Sequence, residues 1–270
     1  MSGDRSDSPL FEAKRYDEPS VFTPGSLIRE ARRQKDLPDR PVPDVCVLDP
    51  DGDLVRHLTS TGRAEADTTW PGYHTDLYRF ELDGVDVGIV GCAVGGPFAV
   101  LVAEQLFAAG CQFLVSVTSS GQIVAQDDPP YFVLIDRALR DEGTSHHYRS
   151  PDRYATLDPE LRERVESACD STTRPVYTGT TWTTDAPFRE TESAIERARS
   201  DGILAVEMEA AALYTFAAER DEPVVCFAHV TNEMGRGDGD FEKGDANGSA
   251  AALEVIASAI DGWKSSDASE

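Results

Sequence analysis

The sequence alternates short, β-branched apolar runs with amphipathic or Ala-rich segments of helical periodicity. The apolar runs include 44–48, 111–117 and 223–232, and the helical segments include 98–110, 159–169 and 249–263. Strands that alternate with helices predict an α/β fold in which helices flank a mixed or parallel sheet. A chain of 270 residues is long enough to build one such domain around a single core.

The first 43 residues differ from the rest of the chain. They open with a polar, acidic stretch, continue with an amphipathic segment at 25–34, and end in a run that contains Pro38, Pro41 and Pro43. We predict an N-terminal arm with a short helix over 1–43 and one α/β domain over 44–265. The start of the chain lacks the apolar core of a signal peptide, and no window holds about 18 uncharged apolar residues, so we expect a cytoplasmic protein without a membrane span.

The chain is strongly acidic, with 49 acidic and 25 basic residues and a formal net charge of −24. A surface of this sign repels nucleic acid and anionic membranes, so we expect neither as a partner. The acidic residues are dispersed and only four basic residues are Lys, which favours a halophilic protein whose self-repulsion is screened by salt. An ordinary acidic enzyme is the alternative. The five cysteines show no CxxC spacing, which predicts free thiols and no metal site.

Small or charged polar residues follow three of the predicted strands. They are the run Gly52-Asp53-Leu54-Val55-Arg56, the run Thr118-Ser119-Ser120-Gly121, and the pair Thr231-Asn232. In α/β sheets, ligands bind in the loops beyond the strand ends. We therefore expect these three segments to converge on a ligand site.

Four segments, in order along the chain, resemble the nucleoside phosphorylase superfamily and most closely its uridine phosphorylase branch. They are GDLVR at 52–56, which resembles the family's GDPxR phosphate turn without its proline, the strand–glycine–helix stretch at 81–111, RALRDEGTSHHY at 137–148, and AVEMEAAALYTFA at 205–217. The resemblance covers about residues 44–260. It implies a single-domain, phosphorylase-type mixed sheet flanked by helices.

The resemblance also implies an enzyme, a pentosyltransferase that uses inorganic phosphate to split a ribonucleoside into free base and ribose 1-phosphate. Such a cleavage passes through an oxocarbenium-like transition state. No metal or organic cofactor is implied, since inorganic phosphate is the co-substrate. The expected partners are the nucleoside, phosphate and further copies of the chain, in a homo-oligomer built from dimers, such as a hexamer.

The resemblance assigns phosphate binding to Gly52, Arg56, Ser119 and Ser120. Backbone N–H groups of the segment 118–121, interpreted as a turn, would form a small anion-binding nest. Arg56 supplies the positive charge, and a solvated surface Arg is the alternative.

The ribose is assigned to Glu207, Met208 and Glu209. Glu209 would accept hydrogen bonds from the 2′- and 3′-hydroxyls, Met208 would pack under the sugar, and Glu207 would anchor either the sugar or its loop. A solvated helix face is the alternative for the glutamates, but the flanking residues are apolar and predict burial.

The base is assigned to Gly121, Phe188, Arg189 and Asn232, with Phe188 stacking on the ring and Arg189 binding its carbonyls. Asn232 stands where purine-cleaving members carry Asp, and an amide cannot deliver a proton. General-acid help is worth about 10²- to 10⁴-fold, so a pyrimidine, uridine above all, is favoured. The GQxR pattern of uridine-specific members is nevertheless absent. The residues expected to be catalytic are Glu209, Arg56 and Asn232.

Phosphate binding departs from the family pattern at Ser116, where phosphorolytic members carry Arg. A second Arg, which a neighbouring subunit provides, has no clear equivalent either, so Arg56 alone is clearly kept. Possible replacements are Arg79, Arg137, Arg189 and Arg236. Hydrolysis by water on the same fold therefore stays open, as does a non-catalytic protein that binds a nucleoside or nucleotide.

Overall fold

The computed structural model describes residues 8–12, 14–234 and 243–265 and shows a mixed sheet flanked by helices. The strands are β1 (Val45–Asp49), β2 (Ala64–Ala66), β3 (Tyr78–Leu82), β4 (Val85–Gly91), β5 (Phe113–Gln122), β6 (Tyr131–Asp141), β7 (Tyr154–Thr156), β8 (Val176–Thr184), β9 (Ala205–Glu207) and β10 (Val224–Asn232). The α-helices are α1 (Pro24–Lys35), α2 (Asp53–Ser60), α3 (Gly96–Ala108), α4 (Ser145–Tyr148), α5 (Pro159–Cys169), α6 (Glu192–Ser200), α7 (Ala210–Arg220) and α8 (Ser249–Lys264). The α/β class with a mixed sheet is thus confirmed.

The sheet runs in the order β10-β6-β8-β9-β5-β1-β4-β3-β2, with β7 paired to β6. Because β10 also pairs with β5, the strands β5, β10, β6, β8 and β9 close into a circuit, and the remaining strands extend from β5 as an open sheet. The neighbours β4, β1, β5 and β10 are parallel, so their carboxyl ends lie on one side. This places the segments that follow β1, β4 and β5 close together.

Helix α7 is held in the middle of the fold. Its residues from Ala210 to Ala217 are all buried. The Tyr214 hydroxyl donates a hydrogen bond to the Ile135 carbonyl at 2.6 Å and accepts one from the Cys226 N–H at 3.0 Å, which joins α7 to β6 and β10. These contacts fix the position of the residues at the amino end of α7.

One local prediction differs from the structure. The segment 118–121 is not a turn, because β5 continues through it and stays paired with β10 as far as Gly121. Its small polar side chains end the apolar pattern before the backbone pairing ends. Gly52 does form a turn, since its N–H donates a hydrogen bond to the Asp49 carbonyl at 2.9 Å, and it also caps α2.

The N-terminal helix forms as predicted and packs on the domain. The Thr23 hydroxyl accepts a hydrogen bond from the Ser26 N–H at 3.2 Å, which caps α1. Ile28 and Ala31 are buried. In the part of the chain that the structure describes, no helix is long and apolar enough to cross a membrane.

Candidate active site

One edge of β5 is left open between two strands. β10 pairs with one edge from Leu114 to Gly121. The other edge pairs with β1 up to Ser116 and then with β9 from Gly121 onward, which leaves 117–120 without a strand partner on that side. The residues that follow β1, β4 and β9 surround this gap, so a ligand there would meet backbone N–H groups as well as side chains.

Glu209 lies beside this gap at the N-cap position of α7 and is 1% exposed. Its Oε1 accepts a hydrogen bond from the Gly95 N–H at 2.7 Å, whereas its buried Oε2 has no hydrogen-bond partner among the described residues. Burial and the charge of Glu207 raise its pKa to about 8, although the Gly95 N–H and the nearby Thr118 hydroxyl lower it. The neighbouring Met208 is half-buried. A buried carboxyl oxygen without a partner is available to a ligand hydroxyl, as an acceptor when Glu209 is ionised and as a donor when it is protonated.

Glu207 is fully engaged by the protein itself. Its Oε2 accepts hydrogen bonds from the N–H groups of Glu209 and Ala210, both at 2.7 Å. Its Oε1 accepts hydrogen bonds from the hydroxyls of Thr181 and Thr183. Of the two roles predicted for Glu207, these contacts favour anchoring the loop over binding the sugar directly. Glu207 closes the first turn of α7 and thereby fixes Glu209.

The turn after β1 has a conformation that requires glycine at position 52. Gly52 has φ +73°, and a Cβ there would lie 2.7 Å from the Cys92 Sγ and 2.8 Å from the Arg56 Nη1. The Arg56 guanidinium donates to an Asp53 carboxylate oxygen at 2.6 Å and to the Asp51 carbonyl at 2.9 Å, and the side chain is 61% exposed. Arg56 thus stands at the turn but is paired with its own helix.

The open edge of β5 is met by a carboxylate of the same turn. The Ser119 N–H donates a hydrogen bond to the Asp51 Oδ2 at 3.0 Å. Lys243 lies beside this contact, with its Nζ 3.3 Å from the Asp51 Oδ2 and 2.6 Å from the Asp53 Oδ2. Gly52, Arg56 and Ser119, which the sequence analysis assigns to phosphate, are therefore brought to one place, together with two aspartates and a lysine that it did not assign.

Two further titratable groups face this cluster. Asp49 is buried, and desolvation raises its pKa to about 6, although the Val55 N–H stabilises its charged form. His229 stacks on Phe132 at 4.4 Å between ring centres, and burial lowers its pKa to about 4, so its imidazole is neutral at pH 7. Among the described residues, no group of three or more His, Cys, Asp or Glu side chains is arranged to hold a metal ion.

Comparison with known proteins decides the family. A family model described as the phosphorylase superfamily matches residues 44–261. The chain belongs to the phosphorylase superfamily. The resemblance to nucleoside phosphorylases of the uridine phosphorylase-like branch is thereby confirmed.

Individual relatives are distant. The chain is 25% identical to a guanosine phosphorylase of Halorubrum lacusprofundi over 144 aligned residues. This alignment covers 53% of this chain and 60% of the relative. It is 27% identical to a uridine phosphorylase of Thermococcus kodakarensis over 202 aligned residues. This alignment covers 68% of this chain and 70% of the relative. A crystal structure of uridine phosphorylase from Vibrio fischeri has a similar fold, with a TM-score of 0.67 at 19% identity over 82% of this chain and 90% of that one. The relatives differ in the base that their names give, so family membership leaves the base open.

The structure does not bring the residues that were assigned to the base together around Glu209. Phe188 is 99% exposed and Arg189 is also exposed, both in a 3-10 turn beside an open cleft of about 830 Å³ that Met234 also lines. Asn232 donates from its Nδ2 to the Ser120 carbonyl and accepts the Met234 N–H at its Oδ1. Its amide thus holds the end of β10, next to Gly121.

The two serines assigned to phosphate are not equivalent. Ser119 and Ser120 are consecutive residues of β5, so their side chains point to opposite faces and one phosphate cannot take both hydroxyls. Ser119 lines the small cavity that Asp51 and Lys243 share, whereas the Ser120 hydroxyl is buried without a partner among the described residues. The structure favours Ser119.

The four possible replacement arginines lie in different places. Arg79 pairs with Asp67 at 2.6 Å and Asp86 at 2.8 Å on β3 and its neighbours. Arg137 donates to the Thr180 hydroxyl at 2.8 Å. Arg189 is exposed in the turn after β8, and Arg236 lies outside the described residues. Among the described residues, the cation beside Ser119 is Lys243, which sequence reasoning missed because nothing in the acidic loop around it indicates a site.

Proposed function

We propose that this chain cleaves the N-glycosidic bond of a ribonucleoside by phosphorolysis and releases free base and ribose 1-phosphate. The observation that carries the proposal is the buried Glu209 Oε2, which lies next to the open edge of β5 and has no hydrogen-bond partner among the described residues. A ribose 2′- or 3′-hydroxyl would supply that partner. Since positive charge develops on the sugar in the transition state, such contacts strengthen as the reaction proceeds.

The proposed reaction brings the sugar, the base and phosphate together at C1′. A phosphate oxygen bonds to C1′ while the C1′–N bond breaks, and the electron pair of that bond leaves with the base. Glu209 and Met208 hold the sugar. Gly52, the Ser119 N–H and hydroxyl, Arg56 and Lys243 surround the proposed phosphate position.

We propose a pyrimidine nucleoside, with uridine first, as the substrate. Support comes from Asn232, which cannot protonate a purine ring, and from the uridine phosphorylase relative. A uracil anion would leave and take its proton from solvent. The guanosine phosphorylase relative argues for a purine, so the base needs to be tested directly.

We also propose that the enzyme works as a homo-oligomer in a cytoplasm of high salt, without a metal or organic cofactor. Val21, Phe22 and Phe188 are exposed apolar side chains of the single chain, which supports burial between subunits. The net charge of −24 supports the salt requirement.

Hydrolysis is the second candidate, and one contact favours it. The Ser119 N–H already binds the Asp51 carboxylate, so the chain itself fills part of the anion position. While Asp51 occupies the anion position, water would be the nucleophile in place of phosphate.

The test is base release from uridine, cytidine, inosine, guanosine and adenosine in molar KCl, with and without phosphate. We expect release from uridine only when phosphate is present, with ribose 1-phosphate as the second product. Equal release without phosphate would establish hydrolysis instead. Glu209→Gln, which removes the free carboxylate oxygen, should abolish either reaction, and the exposed Glu163→Gln should leave it unchanged. No release by the folded wild-type protein would contradict both enzymatic candidates.

A further inference from the structure

The Ser119 N–H is the group that an incoming anion would meet at the open edge of β5. Its hydrogen-bond acceptor is the Asp51 Oδ2 at 3.0 Å, which also lies 3.3 Å from the Lys243 Nζ. A carboxylate held by a backbone N–H and an ammonium group has the contacts that a phosphate oxygen would make. The chain therefore places its own anion where its proposed co-substrate would bind.

The space around this contact is small. The cavity that Asp51, Ser119, Lys243 and Ser249 share has a volume of about 20 Å³. A volume of about 10–15 Å³ is enough for one water molecule, so the cavity has room for water and not for phosphate while Asp51 stays in place.

Backbone contacts fix the turn that carries Asp51. The next residue, Gly52, has a positive φ and is packed against the Cys92 Sγ and the Arg56 guanidinium. The Gly52 N–H also donates to the Asp49 carbonyl at 2.9 Å. Asp51 can leave Ser119 by rotating its side chain, whereas the turn that carries it is fixed.

The local charge also opposes an anion. Asp49, Asp51 and Asp53 face Arg56 and Lys243, and the nearby His229 is neutral at pH 7. Three carboxylates against two cations leave about one negative charge in the cluster. Neutralising Asp51 would weaken its contacts with the N–H and with Lys243, because they would lose their charge assistance, and would remove this excess.

We propose that Asp51 determines which nucleophile the site accepts, because its carboxylate competes with phosphate for the Ser119 N–H and Lys243. This inference rests on the proposed function, since it takes the open edge of β5 to be the nucleophile position. Phosphate binds after Asp51 has turned away, and water is the nucleophile while Asp51 remains. Asp51 is thus a specificity-determining residue that selects between phosphorolysis and hydrolysis.

The first experiment measures the binding of inorganic phosphate by calorimetry in 1 M KCl, without nucleoside. We expect Asp51→Asn to bind phosphate at least tenfold more tightly than the wild type. Asp51→Glu keeps the charge and should bind no more tightly than the wild type. Asp128→Asn, which neutralises an exposed aspartate in another loop, controls for net charge and should also match the wild type.

A second measurement separates competition from general repulsion. The ratio of phosphate-dependent to phosphate-independent base release should rise at least tenfold in Asp51→Asn. Circular dichroism checks the fold of this variant, and Asp51→Ser serves as a second neutral side chain. The gain should persist at 1 M KCl, where the screening length is about 3 Å, because it depends on direct contact.

The outcomes distinguish the inference from the proposed function. Equal phosphate affinity in the wild type and both neutral variants, or weaker affinity in the variants, would overturn the role of Asp51 even if phosphorolysis is observed. Tighter phosphate binding by the variants without any base release would support the role of Asp51 and contradict the proposed function. A gain that Asp128→Asn reproduces would show a net-charge effect and overturn the inference.

Discussion

The two halves of the candidate site are built in opposite ways. On the proposed sugar side, Glu207 satisfies the amino end of α7, and one oxygen of Glu209 has no hydrogen-bond partner among the described residues. On the proposed nucleophile side, Asp51, Asp53, Arg56 and Lys243 satisfy one another and the Ser119 N–H. The first half can bind a ligand without losing a contact within the protein, because the buried Glu209 Oε2 has no partner among the described residues. A ligand of the second half must displace contacts that already exist, so its affinity depends on a difference between two sets of similar interactions.

The largest effect is expected from removing the free acceptor on the sugar side. Glu209→Gln puts an amide where the ribose hydroxyls are proposed to donate. Base release should then fall by at least about 100-fold, which is the typical cost of removing one hydrogen bond that stabilises a transition state. The measurement is the steady-state rate with the preferred nucleoside at saturating phosphate. A loss smaller than tenfold would show that Glu209 does not contact the sugar.

The contacts of Glu207 should be needed for stability as much as for activity. Glu207→Gln replaces one carboxylate oxygen by an NH2 group, so either the N–H groups of Glu209 and Ala210 or the hydroxyls of Thr181 and Thr183 lose their acceptor. We expect a loss of about 1–3 kcal/mol in the free energy of unfolding. Urea denaturation measures it, and Glu163→Gln on the surface of α5 is the matched control. An unchanged stability would mean that the Glu207 carboxylate does not hold this turn.

The pH dependence of stability should report on Glu209. Its pKa is about 8 in the folded protein and near 4.5 when unfolded, so between these values the native state holds a proton that the unfolded state has lost. Stability contributed by this group is therefore complete below the unfolded pKa and decreases as the pH rises toward 8, by up to about 1.4 kcal/mol per pH unit. Glu209→Gln should flatten this decrease in urea titrations between pH 5 and pH 8. A slope that Glu209→Gln leaves unchanged would assign the decrease to other groups.

The smallest effect is expected from salt, and it sharpens the contrast between the two halves. Arg56 is 61% exposed and Lys243 partly exposed, whereas Glu209 is 1% exposed. Raising KCl from about 0.5 to 3 M shortens the screening length from a few Å to less than about 3 Å, so the KM for phosphate should rise a few-fold while the KM for the nucleoside changes less. Equal shifts of both constants would show that the two halves do not differ in this way.

Local patterns were sufficient for much of the fold. The periodicity of 159–169 and 249–263 predicted α5 and α8. The motif at 205–217 led to Glu209 through its resemblance to the family, and the apolar residues around the two glutamates predicted their burial. In these cases neighbours in the sequence carry the information.

Other features depend on residues that are far apart in the chain. Asp51 and Ser119 are 68 positions apart and meet because β1 ends early against β5. The end of β5 was predicted wrongly at 117, since its polar residues remain in the strand through pairing with β10. Sequence reasoning could have noticed the alternation Asp49-x-Asp51-x-Asp53 after β1, but not which of these carboxylates faces an N–H group.

The sequence by itself determined the class of fold, the family and the burial of the glutamate pair, because each depends on short patterns of residues. The tertiary structure decided which donors and acceptors remain free. That choice left Glu209 with an open oxygen and gave the Ser119 N–H to Asp51. The physical reason is that a hydrogen bond is decided by position within a few tenths of an ångström, and those positions are set by strand register and helix packing.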